Sequence, residues 1–204
     1  MPGIDELISK SLASGIKGNL GPLLEKKVKI DLFKEYGTSI KQAISDFSKL
    51  DKILRVHLQS EASGFEQKCL GEIIALKSLN GSLTVTIKDK KMVNSILEIL
   101  GDKEYRKIIE STLSKPLLIS ELINTLKLPK TSGYRKVNFL IRNGFLIDVG
   151  KELTMKRRSV QKYTTIFQKI NFEMNPKQSF VKLSMSLKII EQSSSIQIIK
   201  PKID

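Results

Sequence analysis

The feature that most constrains the fold is the run from Pro116 to Phe167, where two short helical patterns precede two strand patterns. In the first pattern apolar residues recur at helical spacing, and Ser120 is placed to cap the N-terminus of a helix. Leu128-Pro129 ends this helix, because proline has no N–H and turns the preceding residue away from helical angles. The apolar residues of the pattern are Leu122, Ile123 and Leu126.

A second helix is predicted from about Thr131 to Arg142, ending at Asn143-Gly144, a pair suited to a left-handed cap. Gly133 is expected where the two helices approach closely, because a missing side chain leaves room for that contact. The other residues expected to face inward are Val137, Leu140 and Ile141. The residues expected to face outward are Lys130, Ser132, Tyr134, Arg135, Lys136 and Asn138.

A basic hairpin is predicted after the second helix. An apolar strand pattern comes first, and residues 162–167 can return as its partner. The strand consists of Phe145, Leu146, Ile147 and Val149, and the loop that opens at Gly150 carries Lys151, Lys156, Arg157 and Arg158. Helix, tight turn, helix with a polar and basic outer face, and basic hairpin are together the parts of a winged helix-turn-helix.

The segment from Ile96 to Ile147 resembles the winged-helix domain of arsenic-repressor-like and related archaeal transcription regulators. Its opening, Leu100-Gly101-Asp102 before Tyr105, Arg106 and Ile109, is similar to the start of those domains. Leu118 with Leu122, and then Asn143-Gly144-Phe145-Leu146, resemble their later landmarks. The resemblance implies that the second helix, with Ser132, Tyr134, Arg135, Lys136 and Asn138, enters the major groove of DNA.

The charge is concentrated in the same part of the chain. The formal net charge of +14 implies an acidic partner such as nucleic acid or an anionic membrane surface. Residues 1–101 hold 15 Lys and Arg against 12 Asp and Glu, whereas residues 102–204 hold 20 against 9. Between Lys127 and Lys169 there are 11 basic residues and only two acidic ones, Asp148 and Glu152. This clustering is typical of a nucleic-acid-binding surface.

The candidate DNA contacts lie on the second helix and the hairpin. Arg135 and Lys136 suit guanine acceptors, and Asn138 suits adenine; the alternative for this face is an ordinary solvated helix surface. Tyr134 either contacts DNA or packs on a neighbouring helix. Lys156-Arg157-Arg158 is expected to contact phosphate or enter a minor groove. The remaining candidates are Lys130, Ser132, Arg142, Lys151 and Lys162.

Neither a metal site nor an active site is expected. With one Cys and one His, the chain has too few soft ligands for the metal sites of arsenic- or zinc-sensing relatives. Cys69 is interpreted as a small core residue and His57 as a partly buried side chain. No carboxylate pair, nucleophile–base arrangement or phosphate-binding glycine loop is apparent in the sequence. We therefore expect no cofactor and no enzymatic activity.

The N-terminal region predicts a series of helices. Residues 4–36 indicate two helices, the first up to Gly18-Asn19 and the second with Pro22 in its first turn. Thr38 or Ser39 is expected to cap a third helix, and residues 50–58 and 65–79 carry further helical patterns. From about Leu7 to Leu79 the chain resembles the Nitrosopumilus-type output domain, a small helical domain beside archaeal regulators. Leu20-Gly21, the run from Lys34 to Ser39, and Leu50 with Leu54 carry this resemblance, which implies an interaction or output role.

Strand patterns flank the predicted DNA-binding unit on both sides. Asn80-Gly81 is a turn signal, followed by a short strand pattern over 83–87 and a helix over 92–100. Residues 170–174 and 180–187 alternate around a turn at 175–179, which predicts a half-buried hairpin added beyond the wing. Ser193-Ser194-Ser195 and the tail to Asp204 are expected to be loosely ordered.

These observations predict a mainly α fold with a small β component. We expect an N-terminal helical domain (1–80), a connecting strand and helix (81–101), a winged helix-turn-helix (102–168) and a C-terminal hairpin and tail (169–204). No segment predicts a membrane span, no secretory signal is visible, and a lone cysteine fits a reducing cytoplasm.

The predicted function is a cytoplasmic, nucleoid-associated transcription regulator that binds double-stranded DNA as a homodimer. The N-terminal domain would dimerise, receive a signal or bind a partner protein. The alternatives are a protein-interaction scaffold built on a winged helix and an RNA-binding protein. With aromatic residues at 6%, the chain offers little of the stacking surface that RNA sequence readers use.

Overall fold

The computed structural model describes residues 3–79, 82–153 and 159–199. It confirms a mainly helical protein with a small antiparallel β component. The N-terminal part contains helices α1 (Gly3–Tyr36), α2 (Ile40–Ala43), α3 (Phe47–Leu58) and α4 (Ala62–Ile73), then strands β1 (Ile74–Leu79) and β2 (Ser82–Ile87). None of the helices in the described ranges is long and apolar enough to cross a membrane.

The central part contains α5 (Lys90–Gly101), α6 (Lys103–Ser114), β3 (Leu117–Leu118), α7 (Ile119–Thr125), α8 (Lys130–Arg142), β4 (Leu146–Leu153) and β5 (Ser159–Thr165). The last part contains β6 (Lys169–Met174), β7 (Ser179–Ser186), α9 (Leu187–Glu191) and α10 (Ser194–Ile199). The turn signal at Asn80-Gly81 lies outside the described residues.

Helix α1 is interrupted as the sequence predicts. Gly21 has φ +72° and ψ 161°, which is not helical, and Pro22 follows it. Proline supplies no N–H for the helical ladder, and glycine tolerates the positive φ, so the two residues together bend the chain. The first half of α1 buries an apolar stripe that consists of Ile4, Ile8, Leu12 and Ile16. This stripe is the centre of the hydrophobic core.

The prediction of a helix over residues 65–79 is wrong for residues 74–79, which form a strand. Helix α4 ends at Ile73, and β1 pairs antiparallel with β2 from Ile74↔Ile87 to Leu79↔Ser82. Ile74 and Leu76 are buried and alternate with less buried neighbours. This period of two lets β1 join a sheet with one face in the core.

The C-terminal hairpin forms where it is predicted, but it does not stand alone. Strand β7 pairs with β2 and with β6, which gives a four-stranded antiparallel sheet in the order β1-β2-β7-β6. Val181, Leu183 and Met185 on β7 are buried, as their alternation predicts. The sheet thus joins the segments 74–87 and 169–186, which lie on either side of the predicted DNA-binding unit.

The second sheet contains three short strands in the order β3-β5-β4, all antiparallel. Helix α7 lies between β3 and α8, and it begins two residues earlier than predicted. Ser120 is not its cap; the backbone N–H of Leu118 donates to Oε2 of Glu121 at 2.8 Å instead. The glutamate in the first turn therefore satisfies the N–H of the residue that precedes the helix, which is one half of a capping box.

The serine run near the C-terminus is ordered, contrary to expectation. Ser193 and Ser195 are buried, and α10 begins at Ser194. The carboxylate of the buried Asp5 on α1 accepts hydrogen bonds from the hydroxyl groups of Ser193 (2.6 Å), Ser194 (3.1 Å) and Ser195 (2.5 Å), and from the backbone N–H of Ser194 (2.7 Å). A buried carboxylate needs such partners, so the polar run is retained inside. Residues 200–204 lie outside the described residues.

Helix α4 buries an acid that has no partner. Glu66 is buried, and neither carboxylate oxygen has a hydrogen-bond partner among the described residues. Burial, with a smaller contribution from the nearby carboxylate of Asp51, raises the pKa of Glu66 to about 8, although Arg55 acts in the opposite direction. At neutral pH this side chain is therefore mostly protonated in the folded state.

Glu66 should make the protein less stable as the pH rises. Its folded pKa lies above the value of 4.5 for an unperturbed carboxyl, so the folded state holds the proton more tightly than the unfolded state does. The contribution of Glu66 to stability is therefore fully present below pH 4.5 and falls towards pH 8, at up to about 1.4 kcal/mol per pH unit. Urea unfolding across this range should show a flatter pH dependence for Glu66→Gln than for the unsubstituted protein.

Glu61→Gln serves as the control, because the side chain of Glu61 is exposed. It should leave the slope of stability against pH unchanged. Identical slopes for Glu66→Gln and the unsubstituted protein would show that Glu66 is ionised in the folded state at neutral pH.

Candidate nucleic-acid interface

Helices α7 and α8 meet closely at Gly133, as the sequence predicts. A methyl group built at this glycine would lie 2.9 Å from Cγ1 of Ile123 and 3.2 Å from Cβ of Leu128. Gly133, Val137 and Leu140 are buried on the inner side of α8, while Ile141 is partly buried against the core. The inner side of the helix is therefore fixed by packing, and its outer side faces away from α7.

The turn after α8 fixes the end of the helix. Gly144 has φ +73°, and its N–H and that of Phe145 donate to the carbonyls of Ile141 and Leu140, which confirms the predicted left-handed cap. A Cβ atom on Gly144 would lie 2.5 Å from the carbonyl oxygen of Gly3 and 2.5 Å from the backbone N of Leu7. The turn therefore packs directly on the backbone of α1.

The exposed face of α8 carries polar and basic side chains at helical spacing. Arg135, Asn138 and Arg142 are exposed and are separated by three and four residues, which places them on one side of the helix. Within the described part of the chain, neither arginine forms an ion pair. Lys130 is also exposed, and Ser132 is half-buried at the edge of this face.

Lys136 does not belong to this exposed face, although the sequence analysis assigned it there. Its side chain is only 13% exposed, and its Nζ lies 2.6 Å from Oδ2 of Asp102 and 3.3 Å from Oε2 of Glu104. The ammonium group also lies 4.3 Å from the ring centre of Tyr105. Helical geometry explains this position, because residue 136 lies about 100° around the helix from residue 135, on the flank that faces α6.

The ion pair shifts the pKa of both partners. Burial alone would lower the pKa of Lys136, but hydrogen bonds to the carboxylates of Asp102 and Glu104 outweigh it and hold the pKa above its usual value. The hydrogen bond from Lys136 in turn holds the pKa of Asp102 below its usual value. Asp102 also accepts from the N–H groups of Glu104 and Tyr105 and so caps α6. The pair ties α8 to the start of α6.

Aromatic side chains on α8 were only partly anticipated. Tyr134 is exposed rather than packed on a neighbouring helix. Phe139, which the sequence analysis did not consider, is partly exposed and packs against Tyr105 with ring centres 5.3 Å apart. Thr131 in the first turn of α8 is also exposed. Helical spacing from Arg135 would have identified both Thr131 and Phe139 as neighbours on the same face.

The hairpin places two of its predicted contact residues on strands. Lys151 is exposed on β4, and Lys162 on β5 forms an ion pair with Glu152 of β4. The hydrogen bond to Glu152 raises the pKa of Lys162 above its usual value. Lys156, Arg157 and Arg158 lie outside the described residues. On the described strands, the charge of Lys162 is therefore neutralised by Glu152, whereas Lys151 has no ion-pair partner among the described residues.

The single His and the single Cys lie where the sequence analysis expected them. His57 is partly buried, with its Nε2 2.8 Å from Oδ2 of Asp31. Cys69 is fully buried, and burial raises the pKa of its thiol to about 12. A thiol with this pKa is not a reactive nucleophile. Both residues belong to the helical N-terminal part, far along the chain from α8.

No protein-family model, curated protein or solved structure matches the chain significantly. The function proposed below therefore rests on the arrangement of the side chains around α8.

Substitution of Gly133 should weaken the contact between α7 and α8. Gly133→Ala introduces a methyl group 2.9 Å from Ile123, and overpacking of this kind costs about 1–3 kcal/mol. The gain in helix propensity is about 1 kcal/mol, so a net loss of stability is expected in urea unfolding. Gly71→Ala is the matched control, because the added methyl group meets nothing within 4 Å. A Gly133→Ala protein at least as stable as Gly71→Ala would contradict the close approach.

Proposed function

We propose that the chain is a transcription regulator that binds double-stranded DNA through α8. The order α6, β3, α7, α8, β4, β5, with the three strands arranged β3-β5-β4, matches the layout of a winged helix-turn-helix. In this layout α8 is the recognition helix and the β4–β5 hairpin is the wing. The proposed site of action is the cytoplasm, in association with the nucleoid.

The observation that carries the proposal is the set of exposed polar and basic side chains on the outer face of α8. Arg135, Asn138 and Arg142 are exposed on one side of α8. The opposite side is buried through Gly133, Val137 and Leu140. Exposed arginines that form no ion pair among the described residues attract phosphates and guanine edges, and asparagine suits adenine. The sequence excess of basic residues between Lys127 and Lys169 also supports a nucleic-acid partner.

Binding would combine two contributions. Arg142, Lys130 and Lys151 would neutralise phosphates, and the release of counterions makes such binding weaken steeply with salt. Arg135 and Asn138 would reach base edges in the major groove and give sequence preference. Lys136 would act indirectly, because its ion pair with Asp102 holds α8 against α6.

The test is fluorescence anisotropy of a labelled random DNA duplex titrated with protein at several salt concentrations. The substitutions Arg135→Ala and Arg142→Ala together should weaken binding, and each lost phosphate contact should lower the slope of log K against log salt by about 0.9. Lys136→Met should instead lower stability in urea unfolding and leave the salt slope unchanged, because the ammonium group of Lys136 is not presented to DNA.

The double substitution Lys41→Ala/Lys52→Ala provides a control with the same loss of charge, since both lysines are exposed on α2 and α3. It should leave duplex binding nearly unchanged. The absence of duplex binding even at low salt would overturn the regulator proposal. Duplex RNA and single strands as competitors in the same titration separate DNA binding from RNA binding.

A protein-interaction role for the same unit is the alternative, and one observation favours it. Val149 and Leu153 on β4 are exposed apolar side chains, which a solvated wing does not need. A purely protein-binding wing would leave duplex binding absent, so the anisotropy experiment distinguishes the two functions.

The dimer belongs to the same proposal, and the second half of α1 offers a surface for it. Leu23 (82% exposed), Ile30 and Phe33 (71% exposed) lie at spacings of seven and three residues, which places them in one stripe along the helix. Acidic and basic side chains both flank the stripe, including the ion pair of Glu25 with Lys29 at 2.6 Å. A second copy related by a two-fold axis would cover the stripe, and two copies of α8 could then read two half-sites.

Light scattering after gel filtration tests this arrangement. The unsubstituted chain should be a dimer. Leu23→Glu/Phe33→Glu should be a folded monomer, because both side chains are exposed in the single chain, and its melting temperature should no longer rise with protein concentration. Met174→Glu, at another exposed apolar position, should remain a dimer. A monodisperse monomer of the unsubstituted chain at high concentration would contradict the dimer and leave a partner protein as the occupant of the stripe.

A further inference from the structure

A cleft opens between the first half of α1, helix α5 and the turn that ends α8. Its volume is about 460 Å³, within the range of pockets that hold small molecules. Asn143 and Phe145 from the turn form one wall, whereas Arg135, Asn138 and Arg142 do not line it. The cleft is therefore distinct from the proposed DNA-binding face.

The floor of the cleft is apolar. Helix α5 contributes Met92, Ile96 and Ile99, all of them buried in the protein, and α4 contributes Ile73. The side chain of Phe145 closes one side and is also buried. A hydrocarbon group that packs on this floor would be removed from contact with water. This favours a ligand with an apolar body.

The rim of the cleft carries two ammonium groups. Lys10 on α1 and Lys91 on α5 line the cleft, and both residues are exposed. Neither forms an ion pair with any residue that the structure describes. Lys10 only donates a long hydrogen bond, 3.4 Å, to the side-chain oxygen of Asn143. The hydroxyl groups of Ser14 and Ser95 also line the cleft.

The two acidic groups of the cleft already have partners. Oδ1 of Asp89 accepts from the hydroxyl of Ser11 at 2.7 Å and from the N–H of Met92 at 2.8 Å, and so caps α5. Oε2 of Glu72 accepts from the side-chain amide of Asn19 at 3.2 Å. Both carboxylates keep their charge, but Asp89 is engaged in capping α5 and Glu72 in holding Asn19. The exposed groups left to reach a ligand head group include the ammonium groups of Lys10 and Lys91 and the hydroxyl groups of Ser14 and Ser95.

We propose that this cleft binds a small amphiphilic carboxylate. The hydrocarbon body lies on the floor formed by Met92, Ile96 and Ile99, and the carboxylate accepts hydrogen bonds from Lys10 and Lys91 at the rim. This proposal does not depend on DNA binding by α8.

The experiment measures displacement of the fluorescent anion anilinonaphthalene sulfonate from the full chain. Octanoate and octylammonium are the two competitors, because they share one hydrocarbon tail and differ in the sign of the head group. Octanoate should displace the dye, and octylammonium should not displace it at the same concentration. Equal displacement by both compounds would overturn the proposal, because a merely apolar surface does not distinguish the two.

Two sets of variants locate the site. Lys10→Met/Lys91→Met keeps the aliphatic stems and removes both charges, so octanoate should bind about tenfold more weakly or worse, as expected for the loss of charge-assisted hydrogen bonds. Ser95→Phe places a ring at the cleft and should abolish binding of octanoate. The control Lys41→Met/Lys52→Met removes two charges elsewhere and should leave octanoate affinity unchanged. Unchanged affinity in both cleft variants would overturn the proposal.

Discussion

Burial of the apolar stripe on the first half of α1 is the interaction on which the rest of the structure depends. Ile4, Ile8, Leu12 and Ile16 are almost wholly inaccessible, and no single neighbouring element covers all of them. Helices α2, α3 and α4 pack on α1 from the N-terminal part, and α5 and α9 pack on it from later parts of the chain. At Gly3 the helix also approaches the side chains of Ile147 and Ile166 beside the second sheet. Segments distant in sequence are thereby held around one helix.

The same helix contributes to the placement of α8, which is held at three points. Gly133 sets its distance from α7, the ion pair of Lys136 with Asp102 ties it to α6, and the turn at Gly144 rests on the backbone of α1. A helix held on its inner side, on one flank and at its end has a single remaining free side. In the proposed winged helix this side carries Arg135 and Asn138, so the groups proposed to read bases are presented by a rigid support.

Elements with strong local signals were predictable from the sequence. Pro22, Pro129 and Gly144 act through their own backbone angles, so the break in α1, the start of α8 and its left-handed cap follow from neighbouring residues alone. Residues 74–79 were predicted as helix because the spacing of apolar residues in so short a segment does not distinguish a helix from a strand. The pairing of these residues with β2 decides their conformation. The order of the serine run depends on Asp5, nearly two hundred residues away in sequence.

The candidate site was predictable to a similar extent. The exposed polar face of α8 follows from helical spacing, and Arg135, Asn138 and Arg142 lie on it as expected. The position of Lys136 does not follow from spacing alone, because a lysine on the flank of a helix can face solvent or a carboxylate. The position of α6 decides that Lys136 faces a carboxylate, because Oδ2 of Asp102 lies 2.6 Å from its Nζ.

The hydrogen bonds between Asp5 and Ser193, Ser194 and Ser195 also have a consequence for synthesis of the protein. Asp5 leaves the ribosome well before Ser193, Ser194 and Ser195, and its carboxylate lacks these partners until that segment has emerged. Contacts of such large sequence separation form late and slow folding. During translation the carboxylate of Asp5 therefore keeps water as its hydrogen-bond partner, even where α2, α3 and α4 have already packed on α1. The start of α1 reaches its final environment only after α10 has been synthesised.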